Sequence, residues 1–192
     1  MSKTSGLARI APPIVLAGGA VGIAATIWYI WFAKTRATIG YRAGVPFFTT
    51  LTRLSVKLEN GSAAWLRADA AASFETMLSA ARTDGVDIRL SSAFRSMTEQ
   101  IAVYAYNGCL IGKCRVQTAP PGHSNHQAGI AFDMDTGVPA GSAVVPIGRD
   151  PTRNAAYNWL ADNAGSYGFC RTVRTEAHHW EFTGGGDAAS CL

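Results

Sequence analysis

Two short segments, far apart in the chain, carry side chains that are useful together only if the fold brings them to one point. In the first, Ser124-Asn125-His126-Gln127-Ala128-Gly129-Ile130-Ala131-Phe132-Asp133, an imidazole and a carboxylate stand seven residues apart; in the second, Glu176-Ala177-His178-His179-Trp180, Glu176 and His179 stand three apart. Two imidazoles and two carboxylates suit a hydrolytic zinc site, where the ion takes three ligands from neutral His nitrogens and carboxylate oxygens and keeps a fourth position for water. Neither segment can be a plain strand. Side chains an odd number of residues apart point to opposite faces of a straight strand, so His126 and Asp133 need a turn between them, which Gln127-Ala128-Gly129 can provide. In extended chain Glu176 shares a face with His178 and not with His179, so a turn or bulge is required there too.

Upstream, the run from Ile10 to Ala33 contains no charged residue. Crossing a bilayer takes ~20 apolar residues as helix. The aromatic cluster Trp28, Tyr29, Trp31 and Phe32, followed by Lys34 and Arg36, reads as an interfacial belt with a basic stop. A cleaved signal peptide is the rival reading, since Lys3 and Arg9 make a basic start, but its apolar core is typically shorter and Ala33 and Ala37 form no clean cleavage site. The division expected is a short basic N-terminus (1–9), a transmembrane anchor (10–33), a connector (34–62) that could contain a strand where Leu51 to Leu58 weakly alternate, and one domain (63–192) of the 192-residue chain. Basic residues on both sides of the anchor leave its orientation open. All four cysteines, Cys109, Cys114, Cys170 and Cys191, follow the anchor, which points to disulfides in an oxidising compartment. Pairing Cys109 with Cys114 and Cys170 with Cys191 is favoured, with two other pairings open; a four-cysteine zinc site lacks its usual CxxC knuckles. A net charge of +4 without basic runs interleaved with aromatics argues against a nucleic-acid partner.

Within the domain, Asp69 to Arg82 places Phe74, Met77, Leu78 and Ala81 at helical spacing and stops at Asp84-Gly85. Val86 to Ser92 reads as a strand. Ser96-Met97-Thr98-Glu99 is a capping box that opens a helix to about Tyr106. Cys109 to Gly122 is a loop, Gly129 to Met134 a strand, and Gly137 to Gly141 a second loop. Asp150-Pro151 supplies an N-cap and a first helical proline for a helix burying Ala155, Trp159 and Leu160, which stops near Gly165 to Gly168. Two short strands, Cys170 to Val173 and His179 to Phe182, complete the pattern. Helices alternating with strands that pair antiparallel give a compact α+β domain with a small antiparallel sheet flanked by helices.

The two segments read as SxHxxGxAxD and ExxHW, and with Leu66-Arg67 opening a helix, Val86 to Ser92 and Ala93-Phe94-Arg95-Ser96 they resemble the zinc D-alanyl-D-alanine peptidases of bacterial cell walls. That family includes vancomycin-resistance carboxypeptidases and dipeptidases and phage L-alanyl-D-glutamate endolysins. The resemblance runs from about Leu66 to Phe182, and Ala119-Pro120-Pro121-Gly122 is typical of the carboxypeptidase branch. It implies a zinc ion held by His126, Asp133 and His179, and Glu176 as general base. One departure is His178, where the family usually has an aromatic residue, and this makes His178 the rival third ligand. Arg95 is placed to hold a polarised carbonyl oxygen or a substrate carboxylate, since a planar guanidinium donates two hydrogen bonds at once. Ser124 and Gln100 are candidates for substrate binding, with His123 and Asp135 as flanking partners that orient ligands. The serines form no Ser/His/Asp arrangement, which argues against a covalent intermediate.

The resulting expectation is a membrane-anchored zinc metallopeptidase acting on peptidoglycan stem peptides at the terminal D-Ala-D-Ala bond. Its domain would stand on the periplasmic or extracellular side, the membrane being that of a bacterium or of a lipid-containing virion. An endolysin-like L-alanyl-D-glutamate endopeptidase is the nearest alternative. A zinc-bearing binding module without catalysis, and a scaffold for which hydrolysis is secondary, are the alternatives of other classes.

Overall fold

Thr35–Arg42 (β1), Val45–Lys57 (β2) and Ala63–Arg67 (β3) form one antiparallel sheet in the order β1-β2-β3. In the computed structural model the described residues are 34–135, 154–184 and 191. The expected anchor at 10–33 lies outside them, as do the Gly137 to Gly141 loop and Asp150-Pro151. Among the described residues no helix is long and apolar enough to cross a membrane. The segment 34–62, expected to be a connector that could contain a strand, supplies a long hairpin to the same unit as residues 63–184. Its register runs from Thr35 opposite Thr52 to Arg42 opposite Val45, closing through Ala43 and Gly44 at φ 49° and 82°.

Leu66 and Arg67 end β3 rather than open a helix, and α1 follows at Ala68–Thr83. Asp69 in its first turn accepts from the Ala70 amide, and Gly85, at φ 76°, lets the chain leave the last turn in the left-handed conformation. The buried face of α1, Ala70, Ala71, Phe74, Met77, Leu78 and Ala81, follows the helical period. It covers the core side of a second antiparallel sheet, in the order β4-β5-β7-β6, built from Leu90–Ser92 (β4), Ala131–Met134 (β5), Phe169–Cys170 (β6) and His179–Phe182 (β7). Phe74 meets Phe132 and Phe169 edge to face, with ring centroids 5.1 and 6.2 Å away. Each such ring, taken from water, contributes on the order of 1.5–3 kcal/mol.

The capping box forms as the sequence requires. The Ser96 hydroxyl accepts from the Glu99 amide and the Glu99 carboxylate from the Ser96 amide, starting α2 at Met97–Tyr106. The last helix, α3 (Ala155–Asn163), is capped by Asn154, whose Oδ1 accepts from the Tyr157 amide. A short 3-10 turn, Ala164–Tyr167, ends at Gly168 with φ 73° and returns the chain to β6, which stops at Cys170 instead of Val173. Cys109 is bonded to Cys114 and Cys170 to Cys191.

Candidate metal centre

Strand periodicity and register build two thirds of the centre. β5 and β7 pair with Asp133 opposite His179, Phe132 opposite Trp180 and Ala131 opposite Glu181. Alternation therefore sends Phe132 and Trp180 into the core and leaves Asp133, His179 and Glu181 on the other face, where directly opposed side chains touch. The His179 Nδ1 lies 2.9 Å from Asp133 Oδ1, and the His179 Nε2 lies 2.9 Å from Glu181 Oε1.

The third member comes from a tight turn. Gln127 donates its amide to the Ser124 carbonyl, Gly129 donates to the His126 carbonyl, and Gly129 takes φ 72°, so the chain reverses between His126 and β5 as the spacing demanded. The turn is fixed from outside by the Arg95 amide on the His126 carbonyl, at 3.2 Å, and the Arg67 amide on the Gly129 carbonyl, at 2.8 Å. The His126 Nδ1 sits 2.7 Å from the Ala93 carbonyl, which only accepts, so Nδ1 carries the proton and Nε2 the lone pair. That lone pair faces Asp133 Oδ1 at 3.3 Å. Burial pushes the His126 imidazole below its ordinary pKa of 6.5, so two acceptors confront one another. A cation between them resolves the conflict. One ligand atom each from His126, Asp133 and His179 lies within 4.8 Å of the others, all three residues being buried. Two nitrogens and a carboxylate oxygen are a donor set that zinc accepts.

The surrounding charges follow from this packing. Burial would raise the Asp133 carboxyl, but the neighbouring imidazoles, His179 donating from Nδ1 above all, hold it well below the ordinary value. Burial alone would lower His179, yet its bonds to Asp133 and Glu181 raise it to about 10. Glu181, which burial also works to raise, is held at about 2 by hydrogen bonds from His179 and Asn125. Glu181 was not singled out from the sequence. Its signal was available, because two residues beyond His179 along a strand is the same face, and a carboxylate there fixes the ring of a metal-binding histidine.

Glu176 and His179 are brought to one side by the turn that the spacing required: the His179 amide donates to the Glu176 carbonyl at 3.2 Å. Glu176 lines a cleft of about 450 Å³ together with His126, Asp133, His179 and Arg95. His178 lines the same cleft but lies outside the three-residue cluster. Arg95, mostly buried, donates from Nη1 to Gln100 Oε1 at 2.8 Å and from Nη2 to Ser92 Oγ at 3.1 Å, with Nη2 3.9 Å from Asp133 Oδ2. Burial lowers its pKa, against the pull of Asp133, Glu99 and Glu176.

Gln100 lines the same cleft. Its oxygen serves Arg95 and its nitrogen donates to the Ala119 carbonyl at 2.7 Å, so it sets the aim of the guanidinium and ties α2 to the cleft wall. Ser124 is buried at the base of the His126 turn and lines the cleft, and His123 stands exposed on its rim. Asp135 is elsewhere, 3.4 Å from Arg89, and does not line the cleft.

Residues 63–184 match the family described as VanY, D-alanyl-D-alanine carboxypeptidase. YodJ of Bacillus subtilis (strain 168), which bears a provisional carboxypeptidase name, is 31% identical over 107 residues, 55% of this chain and 38% of that protein. A D-alanyl-D-alanine carboxypeptidase of Enterococcus faecalis (strain ATCC 700802 / V583) is 28% identical over 131 residues, 57% of this chain and 45% of that one. The chain thus spans less than half the length of these two relatives. Among solved structures, a variant of the vancomycin-resistance D,D-pentapeptidase VanY in complex with Zn(II) is 21% identical, with a TM-score of 0.49 over 67% of this chain and 77% of that one.

Proposed function

Since the chain belongs to the D-alanyl-D-alanine carboxypeptidase family, we propose that it is a zinc peptidase that removes the terminal D-alanine from peptidoglycan stem peptides ending in D-Ala-D-Ala. The observation that carries this reading is the confrontation of the His126 Nε2 lone pair with Asp133 Oδ1, beside His179, at the base of a cleft that also holds Glu176 and Arg95. His126, Asp133 and His179 would hold the ion. Bound there, zinc supplies a Lewis acid that polarises a carbonyl and acidifies water.

The chain's own residues supply the rest. The Glu176 carboxylate takes a proton from the attacking water and returns it to the nitrogen of the leaving D-alanine, a transfer worth typically 10²–10⁴-fold in rate. Arg95, aimed by Gln100 and Ser92, donates to the carbonyl oxygen as negative charge builds there, or to the substrate's terminal carboxylate. Ser124, at the foot of the turn, borders the same space and binds the substrate there. Burial of the ligand set excludes bulk water, which strengthens each of these interactions. The carboxypeptidase names of the two relatives support terminal cleavage over the internal L-alanyl-D-glutamate cut. The apolar run 10–33 and the two disulfides support a domain tethered to a membrane on its oxidising side.

The test is zinc content together with chromatography of a synthetic stem pentapeptide ending in D-Ala-D-Ala. One zinc per chain with release of free D-alanine is expected, and both should be lost in His126→Ala. Stoichiometric zinc with cleavage that leaves D-Ala-D-Ala intact would move the assignment to the endopeptidase. Zinc without cleavage of any stem peptide would leave a binding module.

A further inference from the structure

The β1–β2 hairpin precedes residues 63–184, the part of the chain that matches the family, yet it touches the turn that carries His126. β1 is the outer strand of its sheet, and its free edge and the hairpin turn beside it each reach the His126 segment once. The Tyr41 amide donates to the Gln127 carbonyl at 3.0 Å and the Gly44 amide to the Gly122 carbonyl at 2.9 Å. These two carbonyls bracket the segment that holds Ser124 and His126. The bracket is closed from within, since the Gly122 amide donates to Gln127 Oε1 at 2.7 Å, and Gln127 is fully buried.

Glycine at position 40 shows how close this approach is. It lies inside a strand, where glycine costs about 0.5–1 kcal/mol relative to alanine, and it is buried while Ile39 beside it is 48% exposed. A Cβ at Gly40 would stand 3.2 Å from the Gln127 carbonyl oxygen and 2.8 Å from the Phe47 ring. At the hairpin's tip, a Cβ on Gly44 would stand 3.1 Å from the His123 imidazole on the cleft rim. A methyl group at either point would press on its neighbours, at Gly40 on the Phe47 ring of the hairpin and the Gln127 carbonyl of the turn, at Gly44 on His123, so each would have to give way by a few tenths of an ångström or more.

We propose that the hairpin is a positioning element for the metal-binding turn, with Gly40 as the contact that sets the turn's distance from β1. The inference rests on the zinc peptidase reading and adds that the geometry of His126 is set partly by residues outside the matched family region. Tyr41, Gly44 and Gln127 transmit the constraint through backbone hydrogen bonds. Gly40 acts only through the turn, so it touches neither substrate nor ion.

The experiment uses the full chain and four proteins: wild type, Gly40→Ala, Gly40→Val and, as a control on the outward face of the same hairpin, Thr50→Val. Two readouts are taken besides peptidase activity: the zinc dissociation constant by competition with a chelator, and the visible absorption of the Co²⁺-loaded protein, which reports ligand geometry. Gly40→Val is expected to weaken zinc binding at least tenfold and to shift the Co²⁺ bands, Gly40→Ala to do so by less, and Thr50→Val to leave both at wild type. The far-UV circular dichroism of the metal-free variants should match wild type. Unchanged affinity and Co²⁺ spectrum in a folded Gly40→Val protein would overturn the proposal, as would equal losses in Thr50→Val. Should Gly40→Val not fold, Gly40→Ala decides on the same two readouts, since its methyl group reaches the same carbonyl. A wild-type protein that binds no zinc would instead remove the peptidase reading, and this inference with it; a wild type that binds and cleaves keeps the two separable.

Discussion

Loading the metal centre should release a proton from His179, and the pH dependence of binding measures it. In the metal-free protein Asp133 is ionised, His126 is held neutral by burial, and His179 keeps its proton up to about 10 because it lies between Asp133 and Glu181. An ion that takes the His179 Nδ1 lone pair has to displace that proton. A histidine raised above its ordinary 6.5 favours the protonated, metal-free fold; that contribution is fully present below 6.5 and is lost as the pH rises through about 10. Metal binding gains over the same window, by about tenfold in affinity per pH unit, or roughly 100-fold between about pH 6.5 and about pH 8.5. Calorimetry in buffers of different ionisation enthalpy counts the protons, and chelator competition at each pH gives the affinity. Water that ionises on the bound ion adds to the slope. The refuting result is therefore a release of clearly less than one proton per ion, or an affinity flat across this range. Glu181→Gln provides an internal check. Losing one of its two carboxylate partners, His179 should release its proton at lower pH, and the steep part of the affinity curve should move down with it.

Glu176→Ala should keep stoichiometric zinc, as Glu176 lies outside the ligand cluster, while kcat on the stem pentapeptide falls by roughly 10²–10⁴-fold. Arg95→Lys should lower kcat/KM by on the order of tenfold to a hundredfold, because a lysine cannot serve Gln100 and Ser92 from a planar fork and still face Asp133; steady-state kinetics with zinc content as control reads it. Phe74→Ala should cost about 3–5 kcal/mol in chemical denaturation, since the ring is fully buried between Phe132 and Phe169. A loss under about 1 kcal/mol would mean that this core is not packed as described.

What could be read from the chain was what local chemistry controls. The Ser96 capping box, the apolar period of α1 and the turn between Glu176 and His179 are each fixed by residues within a few positions of one another, and the fold contains all three. Of the hairpin only a weak alternation from Leu51 to Leu58 is legible, because its other signals are not local. Its turn is Ala43-Gly44, with alanine in the left-handed region at φ 49°, where the usual hairpin signal would be Asn-Gly or Asp-Gly. Its strands bury little: Phe48 is 91% exposed and Val45 64%, so apolar alternation does not reveal which face packs. Pairing with β3 and with the His126 turn makes this segment a strand, and neither partner is a sequence neighbour.

The two sheets divide the work of building the centre. Strand register alone sets Asp133 against His179, and a pair opposed on neighbouring strands cannot drift apart without breaking the ladder between β5 and β7. His126 has no such register. Its place depends on a turn whose carbonyls are held by amides from Tyr41, Arg67 and Arg95, two of them contributed by the other sheet. An ion bound by all three ligands would tie the turn to the ladder, so the free energy of metal binding would be shared between sealing that junction and coordination itself. The cleft lined by Arg95 and Glu176 is lined by all three of these residues too. Groups that line one cleft stay aligned only while the turn and the ladder hold together, so contacts that brace the His126 turn from behind would matter to chemistry they never touch.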